Sequence, residues 1–147
     1  MSAYPFTGFH FSVSFDSLSP APADSRFQEV SGLEVEMEME SITEGGQNRF
    51  TWQLPTRARY SDITLKRGKL SGSPVVEWCK DAMENFVFKP VNLTISLLNE
   101  KHEPVQSWYV AQAIPRKWSL SNFNAQENAI VVESITLSIQ YFTIMNT

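Results

Sequence analysis

The sequence is poor in the residues that catalysis usually draws on. A single cysteine, Cys79, rules out an internal disulfide. Only two histidines, His10 and His102, could act as general bases near neutral pH. There is no GxSxG elbow, no phosphate-cradling glycine loop, no HExxH and no CxxC. The expectation is a protein that is not an enzyme and takes no cofactor and no metal. Basic charge is short as well: 12 Lys and Arg against 16 Asp and Glu leave a net charge of −4. That balance argues against a nucleic-acid binder, whether general or sequence-specific, because phosphate contacts need a basic surface. No apolar run approaches the roughly 18 residues of a membrane span, and no N-terminal stretch has the charged-then-apolar pattern of a secretory signal. Direct membrane insertion is therefore not expected, and synthesis in the cytosol is. The sequon Asn92-Leu93-Thr94 then reads as a chance match.

Against these absences stands abundant period-two alternation. The 147 residues, 42% of them hydrophobic, suit a single domain spanning 1–147 with a substantial core. From Leu33 the odd positions Leu33, Val35, Met37 and Met39 are apolar, and the even positions Glu34, Glu36, Glu38 and Glu40 are carboxylates. Successive strand side chains point to opposite faces, so this is a strand with one face to bury and one acidic face. Glu44-Gly45-Gly46-Gln47-Asn48 supplies the glycines of a tight reversal, and Phe50, Trp52 and Leu54 alternate after it. The reading is a long β-hairpin arm over about 33–55, ended by Pro55, with a basic loop from Thr56 to Ser61. Its charges are sorted: residues 27–48 hold six glutamates and no basic residue, and 49–69 hold six basic residues against Asp62, a balance of −6 followed by +5. Such patches either pair within the hairpin or set the acid of one copy against the base of the next.

The remaining segments follow the same logic. Phe9, Phe11, Val13 and Phe15 alternate in a first strand whose polar face carries His10, read as solvated because no second histidine or cysteine lies at metal-ligand spacing. Ser19 to Ser25 reads as a loop. Ile63 and Leu65 point inward from another strand. Ser73 is a candidate N-cap with Pro74 at the first helical position, and Val75, Trp78, Cys79, Ala82, Met83 and Phe86 form one apolar face of a helix over about 74–88. Cys79, central in that stripe, is core and not a nucleophile. Val91 to Leu97 alternates, a polar turn follows, and a returning strand ends at Pro115; Asn122 to Asn128 is turn-rich, and Ile135, Leu137, Ile139 and Tyr141 share one side of a last strand. About seven strands and one helix predict a mainly β fold, a two-sheet β-sandwich or barrel with the hairpin arm and one α-helix packed on the outside. The glutamate row could imitate a glycosidase pair or a calcium site. Equal carboxylates on one strand lack the unequal surroundings that separate an acid from a base.

Taken in order, RFQEVSGLEVEMEMESITEGGQNRF, LPTRARYSDITLKRG, WCKDAMENF, NLTISLLNEKHEP and NAQENAIVVESITLSIQYF resemble the tail-tube proteins of contractile phage tails and phage-tail-like contractile injection systems. The resemblance runs from about Tyr4 to Phe142. It is most specific at Val30-Ser31-Gly32-Leu33, Glu44-Gly45-Gly46, Leu65-Lys66-Arg67-Gly68 and Asn124 to Glu133. It implies a homohexameric ring that stacks into a hollow inner tube for cargo delivery, either as the main tube subunit or as the tube-initiator ring beside the spike. Implied partners are further copies of the chain, the tail sheath, baseplate and spike proteins, and cargo in the lumen. It also implies synthesis in the bacterial cytoplasm and assembly into a particle that is released or membrane-anchored. Carried onto this chain, Glu44, Gly45, Gly46, Asn48, Arg49, Arg57, Arg59 and Tyr60 become a candidate subunit or ring interface. Glu34, Glu36, Glu38 and Glu40 become a lumen or interface face, and Glu77, Lys80, Asp81 and Glu84 a sheath-facing helix surface. The alternative class is a monomeric β-sandwich carbohydrate- or peptide-binding module with Trp52, Trp108 or Trp118 as an exposed platform.

Overall fold

A computed structural model describes residues 10–16, 18, 26–42, 52–68, 73–121 and 131–145. Alternating segments become strands β1 (His10–Phe15), β2 (Arg26–Phe27), β3 (Glu29–Ser31), β4 (Val35–Ile42), β5 (Trp52–Tyr60), β6 (Ile63–Gly68), β7 (Val91–Leu98), β8 (Pro104–Leu120), β9 (Val132–Ser138) and β10 (Tyr141–Met145). The helix α1 is Pro74–Asn85. The mainly β expectation holds, with ten described strands in place of about seven: the short β2 and β3 are additional, and the last predicted strand is split into β9 and β10. One antiparallel sheet has eight strands in the order β2-β1-β7-β8-β9-β6-β3, with β10 also on β8, and a second sheet is the hairpin β4-β5.

The bend of β8 makes the large sheet enclose a core. Its 17 residues pair with β7 and β10 along the first half and with β9 along the second. Where the halves meet, Gln112 adopts φ 53, and Asn92 Oδ1 accepts from both Gln112 N and Gln112 Nε2, at 2.9 and 3.1 Å. The side-chain amide thus takes up a backbone donor that the ladder loses at the irregularity. Each half turns alternate residues inward: Val13, Phe15, Leu93, Ile95 and Val110 from one, Ile63, Leu65, Ile135 and Leu137 from the other. β2 and β3 draw the outer edges together, with Gln28 N donating to Lys66 O at 2.8 Å. The ladder does not close, so the barrel alternative is not adopted.

Helix α1 packs its Val75, Trp78, Cys79 and Ala82 on this core. Ser73 caps it, its Oγ accepting from Val75 N and Val76 N at 3.1 and 3.2 Å, and Pro74 follows as expected. The helix ends three residues before the expected Phe88. Phe86 takes φ 55 as the C-cap, and its N–H together with that of Val87 returns to Asp81 O. That turn carries Phe86 off the apolar stripe and leaves it 82% exposed, and Met83 is exposed too. Cys79 is buried in the core, as read.

Three other expectations change. Pro55 does not end its strand: Glu38 faces Arg57 and Met39 faces Pro55, so Thr56 is the extra residue of a bulge and β5 continues to Tyr60. The hairpin therefore spans 35–60 in its strands, and the basic loop is strand. Pro115 likewise sits inside β8, beside an irregularity between Pro115 and Lys117. In both places a proline is accommodated where the ladder is already broken. The last strand breaks after Ser138, and the alternation shifts by one, burying Phe142 and exposing Tyr141. The loop 19–25 and the turn 122–128 lie outside the described residues.

Candidate assembly surfaces

The hairpin leaves the shell at Gly32. There φ is +88, and a Cβ would lie 1.9 Å from Asp62 O, so only glycine lets the chain pass this close. Leu33 and Tyr60 still pack on the core, the Tyr60 ring meeting Phe142 edge-on at 5.2 Å. Beyond them the apolar side chains of the arm are exposed. Met37 and Met39 are each 51% exposed, and Val35, Ile42, Trp52 and Leu54 are exposed with them. The expected buried face is therefore unburied within one chain.

The bulge at Thr56 also re-sorts the arm. Directly opposed residues share a face. Val35, Met37 and Met39 lie opposite Tyr60, Ala58 and Pro55, which gives one apolar face near the base. Glu36 and Glu38 lie opposite Arg59 and Arg57, whereas Glu40 and Ile42 on that same face meet Leu54 and Trp52. Without the bulge, Trp52 and Leu54 would share a face with Ala58 and Tyr60. Thr56 Oγ1 donates to Glu38 O at 3.0 Å within the bulge.

The sorted charges partly neutralise one another. Glu38 takes Arg57 Nε at 2.9 Å and Arg59 Nη2 at 2.7 Å, both arginines being exposed. Glu34 accepts from Ser61 Oγ at 3.0 Å. Glu36 and Glu40 have no ion pair among the described residues, so the acidic face keeps charge to spare. Tyr60 lies at the foot of this sheet. Glu44, Gly45, Gly46, Asn48 and Arg49 lie outside the described residues. The helix quartet Glu77, Lys80, Asp81 and Glu84 is exposed, away from the core. Beside it Val76, Cys79, Met83 and Trp118 line a shallow apolar pocket of about 180 Å³, rimmed by Lys80 and Glu84.

Among the described residues, β10 pairs with β8 only, β3 with β6 only, and the second half of β8 with β9 only. β10 presents exposed Tyr141, Ile144 and Met145 along its edge.

The sequence reading missed one buried constellation. Glu133 is 0% exposed and receives Arg67 Nε at 3.1 Å and Trp118 Nε1 at 2.6 Å. Arg67 also donates Nη2 to Ser73 Oγ at 3.2 Å and lies over the Phe27 ring at 4.8 Å. Strand parity was the available signal: Arg67 follows Ile63 and Leu65 on the inward face, and Glu133 precedes Ile135 and Leu137. The network joins β6, β8 and β9 to the N-terminus of the helix. Trp118 is partly buried with its ring N–H on Glu133, Trp108 packs against the core from the other half of β8, and Trp52 stands on the arm, so the three tryptophans form no single platform. No buried side-chain polar atom lacks a partner among the described residues.

Fold and surfaces together define a β-built structural subunit. The chain belongs to the family described as T4-like virus tail tube protein gp19, whose model matches residues 7–143. Among solved structures, a chain in the anti-feeding prophage cap, the tube terminating cap, is 28% identical at a TM-score of 0.76, covering 100% of this chain and 95% of its own length. A chain in the sheath–tube complex of the extracellular contractile injection system PVC, in the extended state, is 26% identical at 0.74, covering 99% and 94%. The anti-feeding prophage baseplate contains one with the same fold, 24% identical at 0.78, covering 99% and 97%. No curated protein matches. The family is one of structural tube proteins and not of enzymes.

Proposed function

We propose that this chain builds the hollow inner tube of a contractile phage tail or phage-tail-like injection system, as homohexameric rings that stack into a conduit for cargo. The observation that carries the reading is the hairpin. A two-stranded sheet with large apolar side chains exposed on both faces is marginal alone, and in this reading a second copy covers it. The edges of β10, β3 and the second half of β8 left unpaired among the described residues support the same reading, since pairing them with neighbouring strands satisfies their backbone groups and removes an aggregation hazard. Hairpin face and strand edge are different patches, so the contact is heterologous, and a rotation that closes makes a ring.

In this reading Arg57, Arg59 and Tyr60 stand at the contact between subunits or rings, with Glu44, Gly45, Gly46, Asn48 and Arg49 of the arm's tip. Glu34, Glu36, Glu38 and Glu40 line the lumen or an interface. The exposed quartet Glu77, Lys80, Asp81 and Glu84 faces the sheath, and baseplate or spike proteins meet the end of the tube. Synthesis is in the bacterial cytoplasm, before assembly into a particle that is released or membrane-anchored. The protein's work is mechanical: stiffness and a passage.

Negative-stain electron microscopy of the purified chain tests this. Six-fold rings or tubes are expected, long tubes marking the repeating subunit and isolated rings the first ring beside the spike; solitary particles at high concentration would contradict it. Reversing Glu34, Glu36, Glu38 and Glu40 to lysine separates the two roles of the acidic face. Rings with altered cargo loading place it on the lumen, and failure to form rings places it in an interface.

A further inference from the structure

We propose that His10 and His102 form an open site for one divalent transition-metal ion of the kind that imidazole holds, Ni(II), Cu(II) or Zn(II), which staples the start of β1 to the turn between β7 and β8. The only two histidines of the chain are 92 residues apart in sequence, yet the fold brings His10 Nε2 to 2.9 Å from His102 Nδ1, with the rings edge-on at 4.8 Å between centroids. The sequence reading of His10 as solvated considered only local spacing and could not see this contact.

Both backbones are fixed before any ion arrives. His10 lies opposite Leu98 in the β1–β7 ladder. The turn is knotted by Asn99, whose Oδ1 accepts from Lys101 N and Glu103 N at 2.9 and 3.0 Å and whose carbonyl accepts from His102 N at 2.9 Å. His102 itself sits at φ 63, a left-handed conformation that directs its ring toward β1. A neutral imidazole carries its proton on either nitrogen, so when the proton sits on the far nitrogen of each ring, both near nitrogens offer a lone pair.

The 2.9 Å contact is a hydrogen bond, and an ion takes the place of its proton once both rings turn their near nitrogens toward one point. Metal–nitrogen bonds of about 2.0–2.1 Å set two such nitrogens about 2.9–3.4 Å apart, close to the separation already present. Imidazole suits Ni(II), Cu(II) and Zn(II). No group of three or more His, Cys, Asp or Glu suited to a metal occurs among the described residues, so the two imidazoles are the ligands proposed and the binding is reversible. None of this depends on ring assembly.

The test is calorimetric titration of Ni(II) alone into the full chain carrying no added histidines, in a buffer that does not chelate. One Ni(II) per chain is expected, with binding at least about tenfold weaker in His10→Gln and in His102→Asn, because each removes one of two protein ligands. Asparagine is chosen at 102 because it tolerates positive φ. The double variant should bind no better than either single one, and Ni(II) should raise the melting temperature of the parent chain only. Equal stoichiometry and affinity in parent and double variant would overturn the site.

Discussion

Two glutamates, each paired with arginine, separate the shell from its arm. Glu133 is sealed in the core, holding Arg67 and Trp118 together. Glu38 holds Arg57 and Arg59 on an open two-stranded sheet, where those arginine side chains are 79% and 71% exposed. In the shell, strand faces, helix stripe and buried polar atoms find partners among the described residues. In the arm, Val35, Met37, Met39 and Leu54 stay exposed, and Glu36 and Glu40 have no ion pair among the described residues. The shell holds itself together, whereas the arm offers exposed apolar faces, and the function proposed above covers them with another copy.

Substitutions ordered by cost can break or sharpen this contrast. Glu133→Ala removes the carboxylate from a buried guanidinium and should cost about 3–5 kcal/mol in urea unfolding; a cost below about 1 kcal/mol would deny the shell its polar keystone. Gly32→Ala comes next, since a Cβ would strike Asp62 O at the point where arm and shell part. A loss of about 1–3 kcal/mol is expected in the same assay. Ser73→Ala removes the helix cap and a partner of Arg67, with a loss of about 1 kcal/mol in thermal unfolding. Smallest is Glu38→Gln, on the other side of the comparison. An exposed pair screened by water is worth under about 1 kcal/mol, so the unfolding midpoint of the single chain should barely move. A large shift there would mean that the arm does stabilise its own shell.

Much of this architecture was legible because alternation is physical: residues two apart share a face, and Val13, Phe15, Leu93, Ile95, Ile135 and Leu137 are buried as their spacing requires. The cap Ser73-Pro74 was readable for the same local reason. What failed was whatever depends on contacts between distant segments. Pro55 and Pro115 looked like strand ends, yet bulges admit them. Parity past Ser138 could not be extrapolated through the break at Ile139-Gln140. Arg67 and Glu133 both lie in the stretches where the family resemblance is most specific, yet their meeting is made by the β6–β9 register. The alternation of Met37 and Met39 marks an apolar face, which is half-exposed in the single chain.

Amide hydrogen exchange on the dilute chain and on the assembled particle tests the central claim most directly. The account predicts that amides of β4 and β5 exchange quickly in the dilute chain and are strongly slowed on assembly, whereas those of β7 and β9 are protected alike in both. Equal protection of the arm in the two states would contradict it.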